Sequence, residues 1–280
     1  MHLIQKLFQW NTKQALSQIQ KIYKEQGFAI VSYVYGAVIV RNKLLYVNSS
    51  SDLRWLTVRQ RALFGSSIIL PDGAALLTRW RVAHWLGRIH GTPKLINLNG
   101  TDFFPYLLEQ YLKVWPVNLV CYGTYGWNLS TQSGDIMIPA GEWLHQQYGI
   151  TWTYRQDIDY HDTITQRNRD EMSKHCDPHI PTIMMICLWV PRQELWSYEN
   201  RDNLKKYWII ACNQWATIDY WAWRETRAPW LMRKLWLESV RRLISDPRKN
   251  WSKFWVSWQM MGEIVKLFII LRESNKETTM

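Results

Sequence analysis

The sequence predicts an α/β protein: a mostly parallel sheet with helices on both faces, followed by a basic helical appendage. Three observations carry this. Short apolar, β-branched runs alternate with stretches of helical periodicity from residue 11 to about residue 211, the pattern of successive β-α-β crossovers. The alternation then stops, and residues 215–271 carry helical patterns alone, broken at Pro229 and Pro247. With 280 residues, 47% of them hydrophobic, the chain can bury one large core or two modest ones. The expected division is 1–212 for the α/β unit and 213–280 for the appendage.

The elements follow in order. Ala15, Leu16, Ile19, Ile22 and Tyr23 recur at helical spacing ahead of Gly27, so Asn11–Gln26 is the first helix. Phe28–Tyr35 and Lys43–Val47 are strands, the second ending at Asn48, and a helix is expected over Asp52–Leu63. Ile68–Leu70 is a strand that stops at Pro71. Asp72 and Gly73 make the turn, and Ala74–Leu86 is helical. Residues 90–100 form a loop, Thr101-Asp102 opens a helix running to Lys113, and Val117–Tyr122 is a strand. Gly123-Thr124-Tyr125-Gly126 sits where a phosphate loop would, but two glycines fall short of the fingerprint. The alternation continues with helices near 136–148, 164–174 and 192–200, and with strands at 150–154, 182–188 and 207–211.

Charge narrows the partners. Thirty-four Lys and Arg against 23 Asp and Glu give a formal net charge of +11, which calls for an anionic partner: nucleic acid, a phosphorylated ligand or an acidic membrane surface. The 19 tryptophans suit core corners, stacking platforms and membrane interfaces alike. Cys121, Cys176, Cys187 and Cys212 have no CxxC spacing, so neither a disulfide framework nor a zinc ribbon is expected, and a reduced, cytoplasmic setting is. No signal peptide is expected at the charged, Gln-rich start, and the longest apolar run, Ile183–Val190, is too short to span a bilayer.

Several stretches carry chemistry, each with a plainer alternative. Asp72 stands at a strand's carboxyl end, where a general base would meet a hydroxyl, and equally where a helix N-cap would stand. Val190–Trp196 puts Gln193 at a helix start facing the same crevice; the alternative is ordinary capping, with Pro191 and Glu194 at the dipole's positive end. Residues 224–253 hold nine Lys and Arg, a set that suits a diphosphate or forms a solvated basic face. Basic and aromatic residues interleave there, as in single-strand nucleic-acid grooves. The His175-Cys176-Asp177-Pro178-His179 cluster lacks a second half, and Asp157-Ile158-Asp159 offers too few oxygens for a hard cation, so no metal is expected. Trp251–Leu271 reads as an amphipathic helix fit for a bilayer surface or for packing on the α/β unit.

Taken together and in order, these stretches resemble the bacterial WecG/TagA/CpsF-type glycosyltransferases over roughly residues 40–255. The resemblance rests on Tyr46-Val47-Asn48, Pro71-Asp72-Gly73, Asn99-Gly100-Thr101-Asp102, Pro191-Arg192-Gln193-Glu194, and the run from Asp219 through Arg227-Ala228-Pro229, Leu237-Glu238 and Arg242 to Asp246-Pro247-Arg248-Lys249. It implies a Rossmann-like fold and an inverting, metal-independent transferase with no cofactor. Such an enzyme moves N-acetylmannosamine or another hexose from a UDP-sugar to a polyprenyl-diphosphate-linked saccharide at the inner face of the plasma membrane.

By the same resemblance Asp72 is the base. Asn48, Asn97, Thr101, Asp102, Gln193 and Asp219 contact substrate, and Arg227, Arg242 and Lys249 hold diphosphate. The chain departs from the family pattern at Tyr46 and Asn97, and at Cys187, Trp189, Asn213, Trp215 and Ala216, which stand where the family has glycines. Side chains at those positions are expected to narrow the pocket. The competing expectation is a catalytically impaired binder of lipid diphosphate or nucleic acid. For the enzyme, nucleic acid is not an expected partner, the basic and aromatic C-terminal helices meet the membrane surface, and self-association is left open.

Overall fold

The computed structural model describes residues 11–34, 57–73, 76–77, 96–123, 137–155, 179–188, 190–214, 216–223 and 228–229, with single positions at 232, 241, 244, 247, 251 and 255. Six strands form one sheet: β1 (Ala29–Val34), β2 (Ile68–Pro71), β3 (Asn118–Tyr122), β4 (Trp152–Arg155), β5 (Thr182–Ile186) and β6 (Ile209–Asn213). Their order is β2-β1-β6-β5-β3-β4, and every pairing is parallel. This is the Rossmann-like α/β architecture expected.

The helices are α1 (Thr12–Gln26), α2 (Val58–Phe64), α3 (Gly100–Leu112), α4 (Met137–Tyr148), α5 (Arg192–Glu199), α6 (Arg201–Lys206) and α7 (Ala216–Trp221). Alternate strand residues feed two cores. Val31, Tyr33, Leu119, Cys121, Ile183, Met185 and Cys212 pack with α1, α3, α4 and α7, while Ile30, Val120, Tyr122, Met184, Ile186 and Ala211 pack with Trp196 of α5 and Leu204 of α6. Strands covered on both faces need apolar residues at every position, which is why β1, β2 and β5 are buried throughout. On the first face Trp221 joins α7 to three elements: its ring centroid lies 5.3 Å from Trp143, nearly parallel, 5.8 Å from Phe104 and 6.2 Å from Trp152. Aromatic pairs of this kind add about 0.5–1.5 kcal/mol each beyond the area they bury.

Four differences from the sequence expectation have a local reason. The helix expected from Asp52 begins at Val58, because Thr57 and Gln60 form a reciprocal capping box there. Asn99, not Thr101-Asp102, opens α3: its Oδ1 accepts the Asp102 N–H at 2.9 Å and the Thr101 hydroxyl at 2.7 Å. A short polar helix, α6, intervenes after Asn200. The last strand then starts at Ile209 rather than Tyr207, since Tyr207 and Trp208 turn back with their N–H groups on Asn203 and Lys205. Trp208 takes a left-handed φ of 54° to do so, which no strand residue adopts. The first strand keeps its expected place, while the expected strand 43–47 and helix 164–174 lie outside the described residues.

Candidate active site at the carboxyl rim of the sheet

The crossover from β3 through α4 to β4 leaves one way on the first face, and that from β5 through α5 and α6 to β6 leaves the other way on the opposite face. Neighbouring strands whose connections diverge open a crevice at their carboxyl ends. Here that crevice lies between β3 and β5. Its floor is tight: Cys187 donates its N–H to the Tyr122 carbonyl at 2.7 Å, and Gly123 turns away at φ 140°. A Cβ on Gly123 would stand 2.8 Å from the Cys187 carbonyl carbon, so glycine is required for the two strand ends to meet.

Asp72 follows β2 on the same rim and is half-buried. Its N–H continues the sheet by donating to the Val34 carbonyl at 2.9 Å. The helix after it starts from Gly73, whose carbonyl accepts from Leu76 and Leu77 at 3.2 and 3.5 Å and whose φ is 96°. Asn97 supports the turn: its Oδ1 accepts the Gly73 N–H at 3.1 Å, and the neighbouring Leu98 N–H reaches the Pro71 carbonyl at 3.0 Å. Tyr33 lies beside Leu70 in the register and points into the first core. Burial pushes its phenol well above the ordinary range, with Cys212 and the charge of Asp72 adding to the effect.

The start of α3 comes to this rim through Gly100, which the Gln214 side chain overlies so closely that any Cβ would clash with Oε1. Gln214 follows β6, donates its N–H to the Ile186 carbonyl at 3.1 Å, and accepts at Oε1 from the Thr217 hydroxyl at 3.2 Å. Asp219 of α7 is buried next to Cys187. The Cys187 thiol is pushed well up by burial first, then by the neighbouring Cys121 thiol 3.4 Å away and by the Asp219 charge. It stays a thiol and donates to the Gln214 carbonyl at 3.3 Å.

Gln193, in the first turn of α5, is 2% exposed. Its Nε2 donates to Glu194 Oε1 at 2.9 Å and to the Asn213 carbonyl at 3.0 Å. Because a carbonyl only accepts, the atom facing it is the amino nitrogen, and the side chain's orientation is settled. Asn213 in turn accepts the Ser197 hydroxyl at 2.5 Å and donates to Ser32 Oγ at 2.8 Å, which is 2.7 Å from Ser66 Oγ. Glu194 is buried rather than displayed at a helix end as the capping alternative has it, and burial pushes its carboxyl up to about 7, against smaller opposing effects of its bonds to Gln193 and to its own backbone. Three buried polar atoms here have no protein partner: Gln193 Oε1, Glu194 Oε2 and Gln214 Nε2. Each such group costs about 1–3 kcal/mol unless something meets it.

The rim thus carries Asp72, Asn97, Thr101, Asp102, Gln193 and Asp219, with the ends of β2 and β6 two strand spacings, roughly 10 Å, apart. Asn48, Arg227, Arg242 and Lys249 lie outside the described residues, although Ala228, beside Arg227, is buried. From the sequence Glu194 is expected only to cap and Asn213 only to narrow the pocket, and Gln214 carries no expectation. The signal for the last two was present, as consecutive amides directly after the apolar run Ile209–Cys212.

The glycosyl transferase WecG/TagA/CpsF family model matches residues 36–274, most of the chain. The chain belongs to this family. It is a glycosyltransferase of cell-surface polysaccharide synthesis. Comparison with curated proteins gives no match. Among the positions where the family pattern has glycine, Cys187 and Asn213 are informative. The side chain of Cys187 points into the first core and that of Asn213 to the buried Ser197 and Ser32 hydroxyls, so these two do not narrow the crevice as expected. Among the described residues no helix is long and apolar enough to cross a membrane.

Proposed function

We propose that the chain transfers N-acetylmannosamine or a related hexose from a UDP-sugar to a polyprenyl-diphosphate-linked saccharide, with inversion and without a metal. Asp72 takes the proton of the acceptor hydroxyl, the oxygen attacks the anomeric carbon, and the bond to UDP breaks. Arg227, Arg242 and Lys249 offset the charge that collects on the departing diphosphate. Asn48, Thr101, Asp102, Gln193 and Asp219 contact the substrates, and Asn97 acts through the turn it braces. The observation that carries this reading is the half-buried carboxylate of Asp72 at a strand end, in a turn where Asn97 holds the Gly73 N–H.

Membrane contact at the cytoplasmic face fits the exposed Ile244, Trp251 and Trp255, each in helical backbone and spaced by seven and four residues, which on a continuous helix is one face. The test is UDP release from a panel of UDP-sugars with a polyprenyl-diphosphate saccharide as acceptor. Asp72→Asn is expected to lower turnover by roughly 10² or more while the melting temperature holds. Parental turnover in that variant would remove Asp72 as the base, and no UDP release from any donor would favour a binding protein.

A further inference from the structure

Resting on the nucleotide-sugar reading above, we propose that Glu194 is a positioning residue that, with the Asn213 carbonyl, takes both amide protons of Gln193, so that Gln193 selects the donor substrate only through its carbonyl oxygen and for an O–H or N–H group.

The hydrogen bonds around Gln193 support each step. A primary amide has two protons, and those of Gln193 go to Glu194 Oε1 and to the last carbonyl of β6. Neither acceptor can move independently. Asn213 is tied by its side chain to α5 through Ser197 and to β1 through Ser32, and Glu194 is buried on the same helix turn. Rotation of the amide, which would exchange donor for acceptor, breaks both bonds at once. The remaining Oε1 is buried and has no protein donor. A ligand group that meets it is withdrawn from water with it, and a buried acceptor of this kind discriminates sharply against analogues that lack the proton. It sits at the helix start beside the ends of β5 and β6, on the rim that carries Asp72.

The donor has two sources on a nucleotide sugar: the base and ribose, or the sugar itself. Calorimetric titration of the full chain with UDP, a UDP-hexose and a UDP-N-acetylhexosamine separates them. Glu194→Ala frees one amide proton and lets the side chain turn, and it is expected to weaken binding roughly tenfold, with KM rising more than kcat falls. Glu194→Gln keeps an acceptor oxygen and is expected to stay within about twofold of the parent. Weakening that includes UDP places the donor on the nucleotide; weakening confined to the UDP-sugars places it on the sugar.

A folded Glu194→Ala with parental affinity for every probe overturns the proposal, as does a Glu194→Gln equally impaired, since Gln keeps both the acceptor oxygen and nearly the volume, and the loss then has another cause. Gln193→Met has nearly the same volume and deletes the oxygen. It is expected to lose at least as much affinity as Glu194→Ala, and parental affinity in it overturns the proposal whether or not Glu194→Ala folds. A parent chain that binds none of the three probes refutes the nucleotide-sugar reading itself and this proposal with it.

Discussion

Gly123→Ala tests the crevice floor. At Gly123 two effects act together: a φ of 140° that side chains rarely adopt, and a Cβ that would sit 2.8 and 2.9 Å from the carbonyl carbon and oxygen of Cys187. Those atoms are main chain, and the Cys187 N–H is itself bonded to Tyr122, so relief requires β3 and β5 to part. The backbone strain amounts to about 1–3 kcal/mol and the overpacking to a further 1–3. Gly149→Ala is the control, because Gly149 has φ 67° and nothing within 4 Å of the added Cβ. It carries only the dihedral strain, about 1–2 kcal/mol. For a chain of this size a loss of 1 kcal/mol lowers the melting temperature by about 2–4 °C, so Gly123→Ala is expected to melt about 4–24 °C below the parent and Gly149→Ala only about 2–8 °C. Thermal unfolding followed by circular dichroism reads both. Equal losses in the two variants would show that β3 and β5 do not approach as closely as argued.

Glu194 makes stability depend on pH. Burial raises its folded pKa from 4.5 to about 7, so between those values the folded chain holds a proton that the unfolded chain releases. Stability from this group is therefore fully present below about 4.5 and falls as pH rises through 7, by about 3 kcal/mol in all; urea midpoints at pH 5 and 8 should show that slope in the parent and not in Glu194→Gln. Asn213→Ala strips partners from the Ser197 and Ser32 hydroxyls, both wholly buried, and is expected to destabilise the fold by about 1–3 kcal/mol in urea unfolding. Asn97→Ala releases the Gly73 N–H, and is expected to lower kcat several-fold through a looser Asp72 turn, with a stability loss of only about 1 kcal/mol.

What the sequence made legible was whatever short-range chemistry decides. Ile68–Leu70 shows as a strand, which runs one residue further to Pro71 because β2 lies at the sheet edge, and Ala15, Leu16, Ile19 and Ile22 show the face of α1 directly and are all buried. Asn11, expected as the first residue of that helix, is its N-cap and forms a capping box with Gln14. Where long-range packing decides, local pattern misleads. The helix Arg201–Lys206 has one buried side chain, Leu204, too little for a periodic signal, and the aromatic pair Tyr207-Trp208 imitates the start of a strand. Glu194 reads as a surface acid at a helix start, and only the packed fold shows it buried against Gln193. The bond from Asn213 to Ser32 spans 181 residues of chain, which no window of sequence reveals.

The same distinction bears on how far the family chemistry carries over. A side chain in place of glycine closes a pocket only if its Cα–Cβ bond points into the pocket, and in a strand that direction alternates from residue to residue. Cys187 and Asn213 both direct their side chains into the protein, Cys187 to the first core and Asn213 to the polar chain linking β1, β6 and α5. Close approach at the crevice is left to Gly123. Asn213 then adds something a glycine cannot: its side chain anchors the strand end whose carbonyl holds Gln193. That departure braces the rim from behind, so it supports the transferase chemistry proposed for the rim. On this argument Asn213→Gly leaves the crevice no wider but loosens Gln193, and weaker nucleotide-sugar binding in a folded Asn213→Gly is the outcome that agrees with it.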